Sequence, residues 1–156
     1  MRPEHLATPE ALESFLHGFE QGTLAKSEWT HGAHLAAAAY YLFDSDFAAI
    51  LPLMRARISA FNLSVGGVNT ATSGYHETLT QFWLLIVAEF LRQRQPGSRL
   101  EAAQQAVAVF GQARTLHTLY YSGDVVNDAA ARRQWRQPDL LPLPENRAGN
   151  QASPTI

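Results

Sequence analysis

The sequence predicts an all-α protein: a compact bundle of about five to six helices with an extended, proline-rich C-terminal segment. Apolar residues recur at helical spacing in several segments, capping residues precede these segments, and no segment alternates as a strand would. The 156 residues fit a single domain. We expect residues 1–144 to form this domain and residues 145–156 to be a disordered tail.

The first two helices are predicted from their caps and apolar stripes. Thr8-Pro9-Glu10 combines a capping side chain, an N-terminal proline and an acidic first turn, and Gly22 should end this helix. The second helix is expected from about Thr30, its cap, to Phe43. Its run from Ala36 to Leu42 is rich in small residues, which would let another helix approach closely.

Two longer helices are predicted on either side of a glycine-rich loop. The third spans roughly Asp46 to Leu63, and Pro52 should kink it or mark its true start. Residues 62–74 are polar and aperiodic, and a loop this long in a compact domain tends to be functional or disordered. The fourth helix, from about Tyr75 to Gln95, is the most apolar and should be central.

The C-terminal third should contain one more long helix and one short one. Ser98 to Glu101 match a capping box, so a fifth helix follows, with a continuation through Leu116 to Tyr120 as an option. A short helix is expected around Asp128 to Trp135. The prolines make Pro138 to Pro144 extended, and its leucines should pack across the bundle.

Composition excludes several function classes. The chain is 46% hydrophobic and 17% charged, has no cysteine and carries a net charge of −2, so disulfides, thiolate metal sites and a nucleic-acid partner are not expected. Its most apolar stretch, Phe82 to Leu91, is too short to span a bilayer and contains Glu89. No signal peptide is visible. We therefore expect a cytoplasmic protein. Its expected partner is a small-molecule substrate or ligand.

Two short clusters, Trp29 to His34 and Tyr75 to Thr78, contain side chains that bind metals or relay protons. Each lies where a helix is predicted to begin. His31 and His34 share a helix face, and His76 opens a different helix. Imidazoles are ligands for zinc, nickel, iron and manganese. Our first hypothesis is therefore a metal-dependent enzyme that holds one such divalent metal on these three histidines.

Their position at helix starts should keep these imidazoles neutral, because the positive end of the helix dipole disfavours imidazolium. Neutral imidazole is the form that binds metals or acts as a base. A cation at this position would need a carboxylate nearby, and Glu77 and Glu28 are the candidates. Glu77 would be a fourth ligand or the catalytic base for a metal-bound water. Position 80 is Thr80, so the H-E-x-x-H metalloprotease motif is incomplete.

Two alternatives stay open. One is a metal-free pocket for a small polar or anionic ligand at the two helix N-termini, where Thr30, Thr72, Ser73 and Tyr75 would supply neutral hydrogen bonds. The ligand-binding side chains that we expect overall are Thr30, Asn62, Asn69 and Tyr75. The other is a structural or interaction module. In that module the histidines cap helices and the small-residue face from Ala36 to Ala39 forms a homodimer.

Distinctive strings also carry a resemblance. The strings are Trp29-Thr30-His31 with His34-Leu35, Gly74-Tyr75-His76-Glu77-Thr78 with Thr80, Tyr121-Ser122, Ala131-Arg132, Pro138-Asp139-Leu140 and Pro142-Leu143-Pro144. In these strings the chain resembles a group of small, uncharacterised bacterial helical proteins over about residues 10–144, and this resemblance implies a site without implying a reaction. A looser similarity connects it to DinB-like bundles, which hold a metal on three histidines but pair them as H-x-x-x-H late in the chain.

Overall fold

The structure is a computed structural model that describes residues 1–144, and this part of the chain is an all-helical bundle. It contains no strand, so the predicted fold class is confirmed. The predicted disordered tail at 145–156 lies outside the described residues. The α-helices are α1 (Pro9–Glu20), α2 (His31–Leu42), α3 (Phe47–Ser64), α4 (Glu77–Arg94), α5 (Arg99–Phe110) and α6 (Ala129–Arg133). Short 3-10 turns lie at Pro3–Leu6, Lys26–Glu28 and Leu116–Leu119.

Every α-helix begins at a residue whose side chain accepts a hydrogen bond from a backbone N–H of the first turn. This satisfies donors that the helix itself leaves unpaired. Five of the caps are hydroxyl or carboxylate side chains, and the cap of α4 is an imidazole. The capping residues are Thr8, Thr30, Asp46, His76, Ser98 and Asp128.

The alanine-rich α2 lies at the centre of the bundle. Ala36, Ala37 and Ala39 have no exposed surface, and Ala38 is 3% exposed. Helix α2 packs mainly on α5, whose inner face is also alanine. The expected close approach of another helix is confirmed. The expected dimer face from Ala36 to Ala39 is wrong, because all four side chains are buried within one chain.

The helix α4 contacts α2, α3, α5 and α6, in keeping with its predicted central place. Its N-terminal half carries a second small core, in which Phe82 packs against Tyr121 and Val125. The leucines of the proline-rich segment behave differently from expectation. Leu143 packs on this second core, but Leu140 and Leu141 are exposed.

Three further sequence predictions are corrected. The helix α5 ends at Phe110, so the optional continuation to Tyr120 is wrong; Leu116–Leu119 is a separate 3-10 turn. Pro52 lies inside α3, which begins at Phe47, so it does not mark the start of that helix. None of the helices among residues 1–144 is long and apolar enough to cross a membrane.

Candidate functional site

The three predicted histidines line one cavity of about 400 Å³, which we call the histidine cavity. Its size is within the range of small-molecule sites. Side chains of α2, α3 and α4 form its walls, and the end of the 62–74 loop closes one side. Two corners of the chain that are distant in sequence therefore meet in space. The lining residues are Trp29, His31, His34, Ala38, Met54, Ile58, Asn62, Gly74, Tyr75, His76, Leu79, Thr80, Trp83 and Leu84.

His34 is held by its own helix. Its Nδ1–H donates to the carbonyl of Thr30, one turn earlier, at 2.9 Å. Since a carbonyl only accepts, the proton of the neutral ring is on Nδ1 and Nε2 is an acceptor. Nε2 makes no hydrogen bond to any group in residues 1–144. His34 thus presents a fixed tautomer with one unused acceptor.

His31 joins the start of α2 to the end of α5. Its Nε2–H donates to the carbonyl of Phe110, the last residue of α5, at 3.1 Å. The ring also meets Trp83 edge to face, with 4.7 Å between ring centroids. Its Nδ1 is left as the acceptor. One nitrogen of His31 therefore has a structural role.

His76 uses both of its ring nitrogens. Nδ1 accepts from the backbone N–H of Leu79 at 3.2 Å, which caps α4, and Nε2–H donates to the carbonyl of Val125 at 3.0 Å. Val125 lies in the turn that precedes α6, so the ring connects that turn to α4. Neither nitrogen has a lone pair to offer a metal ion without breaking one of these bonds.

The pKa of all three rings is lowered, which favours the neutral imidazole that the sequence predicts, but the first cause is burial and not the helix dipole. Burial lowers the pKa of His34 to about 4, with the bond to the Thr30 carbonyl opposing this change. Burial likewise lowers the pKa of His31 and His76, against the opposing effect of their carbonyl partners. A nearby arginine lowers the pKa further in each case: Arg114 for His31 and Arg132 for His76.

Apart from the three histidines, the histidine cavity is lined mainly by apolar and aromatic side chains, and Asn62, Tyr75 and Thr80 are its other polar ones. Among residues 1–144, no Asp, Glu, Lys or Arg lines it. Trp29 stacks on Phe19 with 3.8 Å between ring centroids and lies against His34 at 4.4 Å. The indole N–H of Trp29 is buried and has no hydrogen-bond partner in the described part of the chain. Trp83 is a second aromatic wall of the cavity, although its sequence pattern alone assigns it to the core. The sequence signal that could have identified Trp83 is its spacing: it follows His76, the cap of α4, by seven residues, which places both on the same side of the helix.

Glu77 does not line the histidine cavity. It faces a second cleft of about 670 Å³, which we call the arginine cleft. Arg55 binds its carboxylate through two nitrogens, at 2.6 and 3.0 Å, and Tyr75 and Gln81 donate to it at 2.8 and 2.7 Å. Burial raises the pKa of Glu77, but these donors together hold it below its usual value.

The four predicted ligand-binding side chains divide among different places. Thr30 uses its hydroxyl to cap α2 and to accept from the Met1 amino group. Asn69 holds the 62–74 loop in place through three hydrogen bonds. Its side-chain oxygen accepts from the Asn62 side chain and from the Tyr75 N–H, and its side-chain NH₂ donates to a backbone carbonyl of α3. Asn62 lines the histidine cavity, whereas Asn69 lines the arginine cleft. Tyr75 lines both.

The residues present do not fit the metal of our first hypothesis. His76 has no available nitrogen, Glu77 is turned away and bound by Arg55, and Glu28 is bound by Arg2 and His5 on another surface. Among residues 1–144, no three His, Asp or Glu side chains form a group that could hold a metal ion. Only His31 and His34 retain one unused ring nitrogen each, and two ligands are fewer than structural or catalytic zinc sites use.

No protein-family model, no curated protein and no solved structure matches this chain significantly. The resemblance to small bacterial proteins and to DinB-like bundles therefore stays a prediction.

Proposed function

We propose that this protein binds a small, neutral, largely apolar molecule in the histidine cavity without a metal ion. The observation that carries the proposal is the state of His34. Its ring is neutral, its tautomer is set by Thr30, and its Nε2 lacks a partner on the wall of an uncharged cavity. A ligand hydroxyl or N–H would satisfy this acceptor.

The uncharged lining is the reason for a neutral ligand. Moving an ion into an apolar site costs several kcal/mol unless an opposite charge meets it, and no charged side chain lines the cavity. Aromatic and aliphatic walls, above all Trp29 and Trp83, favour a ligand with a ring or a branched apolar body. The preferred ligand combines such a body with one hydrogen-bond donor.

His34 is better suited to accept a hydrogen bond than to remove a proton. Burial lowers its pKa to about 4, and efficient general bases have pKa values near the working pH. In addition, no Ser or Lys among residues 1–144 lines the cavity. Binding is therefore the function that the site supports best.

The test is calorimetric titration with three probes that share a propylphenyl body: 4-propylphenol, 4-propylbenzoate and 4-propylbenzylamine. We expect the neutral phenol to bind at least about tenfold more tightly than the two ions, which corresponds to about 1.4 kcal/mol. Ala38→Leu, which adds bulk to the cavity wall, should abolish phenol binding, and the milder Ala38→Val should weaken it.

Two substitutions test whether His34 accepts a hydrogen bond from the ligand. His34→Phe keeps the ring but removes the acceptor, and we expect phenol affinity to fall about tenfold, as for loss of one hydrogen bond. His17→Gln, on the exposed face of α1, is the matched control and should leave affinity unchanged. Equal binding of the benzoate, or full affinity in His34→Phe, would overturn the proposal.

A further inference from the structure

The arginine cleft is a separate concave surface, formed where the end of α6 and the following residues meet α3, the 62–74 loop and the start of α4. Its volume of about 670 Å³ exceeds that of the histidine cavity. Tyr75 is the one residue that lines both. The residues that matter for the chemistry of the cleft are Arg55, Glu77, Arg132, Arg133 and Trp135.

The charges in this cleft do not balance. Arg55 and Glu77 neutralise each other through their two-point ion pair. The guanidinium of Arg132 donates to the backbone carbonyls of Gly74 at 2.8 Å, Tyr75 at 3.4 Å and Val126 at 3.1 Å. Its Nε–H is buried and has no hydrogen-bond partner in the described part of the chain. Within residues 1–144, no carboxylate pairs with it.

Arg133 adds a second uncompensated charge. Its side chain is exposed, lines the cleft, and makes no hydrogen bond or ion pair to the described part of the chain. Two positive charges, those of Arg132 and Arg133, therefore face a concavity whose single carboxylate is already occupied. Guanidinium groups in such a place recognise phosphate or carboxylate oxygens with strong, charge-assisted hydrogen bonds.

An aromatic surface lies beside these charges. Trp135 follows α6 directly, is half-buried, and lines the same cleft. Its indole N–H donates to no group among residues 1–144. An indole face next to guanidinium groups suits a ring that carries an anionic substituent, since the ring can stack while the anion meets the arginines.

We propose that the arginine cleft is a second binding site, for a small anion attached to an aromatic ring. Arg133 contacts the anion directly, and Trp135 packs against the ring. Arg132 contributes charge from a position fixed by its three backbone carbonyl partners. This proposal stands independently of the neutral-ligand site, because the two pockets share only Tyr75 among residues 1–144 and have opposite electrostatic character.

The experiment is a calorimetric titration of the full chain with 1-naphthyl phosphate, and with inorganic phosphate and 1-naphthol as the two halves of that probe. We expect 1-naphthyl phosphate to bind more tightly than inorganic phosphate and to weaken as NaCl rises, because exposed charges are screened. Arg133→Gln should weaken it about tenfold, as for one hydrogen bond to a charged group.

Three controls make the outcome decisive. Arg94→Gln removes an exposed arginine at the far end of α4 and should have no effect. Trp135→Leu should weaken 1-naphthyl phosphate and leave inorganic phosphate unchanged. Ala38→Leu, which blocks the histidine cavity, should not alter 1-naphthyl phosphate binding.

Several results would overturn the proposal. These are no binding of 1-naphthyl phosphate at millimolar concentration, equal loss in Arg133→Gln and Arg94→Gln, and loss in Ala38→Leu. The last result would place the ring in the histidine cavity instead. Failure of 4-propylphenol to bind would leave these measurements intact, so the two proposals can fail separately.

Discussion

The histidine cavity and the arginine cleft share Tyr75 as a common wall, yet they have opposite chemical character. One is uncharged, aromatic and built around imidazoles that burial keeps neutral; the other contains three guanidinium groups and one carboxylate. His76 and Glu77 are neighbours in sequence, but they face different pockets. Consecutive residues at a helix start point about 100° apart around the axis, so adjacency in sequence places side chains in separate environments.

The largest expected effect is on the backbone segment that separates the two pockets. Gly74 has φ +81°, and a Cβ there would clash with the backbone carbonyl oxygen of Val68. Gly74→Ala should lower the free energy of unfolding by about 3 kcal/mol or more, because left-handed strain alone costs about 1–2 kcal/mol and the clash adds to it. Urea denaturation measures this loss.

Gly66 is the matched control for this variant. Its φ is +76°, and a Cβ there would meet nothing within 4 Å. Gly66→Ala should therefore cost only the strain, about 1 kcal/mol. Equal losses in the two variants would contradict the tight closure of the loop at Gly74.

The second prediction concerns acid stability of the histidine cavity. The pKa of His34 is about 4 in the folded protein, against 6.5 for an unperturbed imidazole. Its contribution to stability is therefore present above pH 6.5 and is lost as pH falls towards 4, because the unfolded chain then binds the extra proton. The loss should be on the order of 3 kcal/mol.

Urea denaturation from pH 7.5 to pH 4 tests this dependence. His34→Gln cannot titrate, so its stability should fall less over this range, while the exposed His17→Gln should follow the unmodified protein. Burial lowers the pKa of His31 and His76 too, so some decline should persist in His34→Gln. If the free energy of unfolding of His34→Gln falls with pH as steeply as that of the unmodified protein, His34 is not buried as neutral imidazole.

The third prediction separates Glu77 from the histidine cavity. Glu77→Gln removes the charge that Arg55 binds and should lower the free energy of unfolding by about 1–3 kcal/mol. It should leave affinity for 4-propylphenol unchanged. The pair of Glu89 and Arg92 on the same helix, which is more exposed than the pair of Glu77 and Arg55, is the control, and Glu89→Gln should cost less than about 1 kcal/mol. A loss of 4-propylphenol binding in Glu77→Gln would show that Glu77 contributes to the histidine cavity, so that the two pockets act as one site.

The fourth prediction tests the structural role of His76. His76→Ala removes the cap of α4 and the bond to Val125, and should lower the free energy of unfolding by about 1–2 kcal/mol. His76→Asn supplies a short cap acceptor and should recover about half of this loss. Equal stability of the two variants would argue against capping as the role of the ring.

The smallest expected effect is that of metal ions. Because His76 and Glu77 are both engaged elsewhere, zinc, nickel, iron or manganese added to untagged protein should move Tm by less than about 1 °C. Differential scanning calorimetry measures this shift. A saturable increase in Tm that disappears in His76→Asn would support the three-histidine metal site. It would also contradict the conclusion that hydrogen bonds occupy both ring nitrogens of His76.

Local features of the sequence were sufficient to predict most of the fold. Thr8, Asp46 and Ser98 cap helices that begin within one residue of the predicted positions, because a cap and the donor it satisfies lie within one turn. The close contact of α2 with another helix also followed, since small side chains permit it. The sequence also pointed to His31, His34 and His76 as parts of one site, and they line one cavity.

The hydrogen-bond partners of these imidazoles could be decided only by tertiary structure. The acceptor of His31 lies 79 residues away and that of His76 lies 49 residues away, whereas His34 bonds to a carbonyl of its own helix. Which ring nitrogen stays free depends on these distant carbonyls, and so does the choice between a metal ligand and a structural bond. A sequence determines which residues have imidazoles and where helices begin; only the packing of distant segments determines which lone pairs face a cavity.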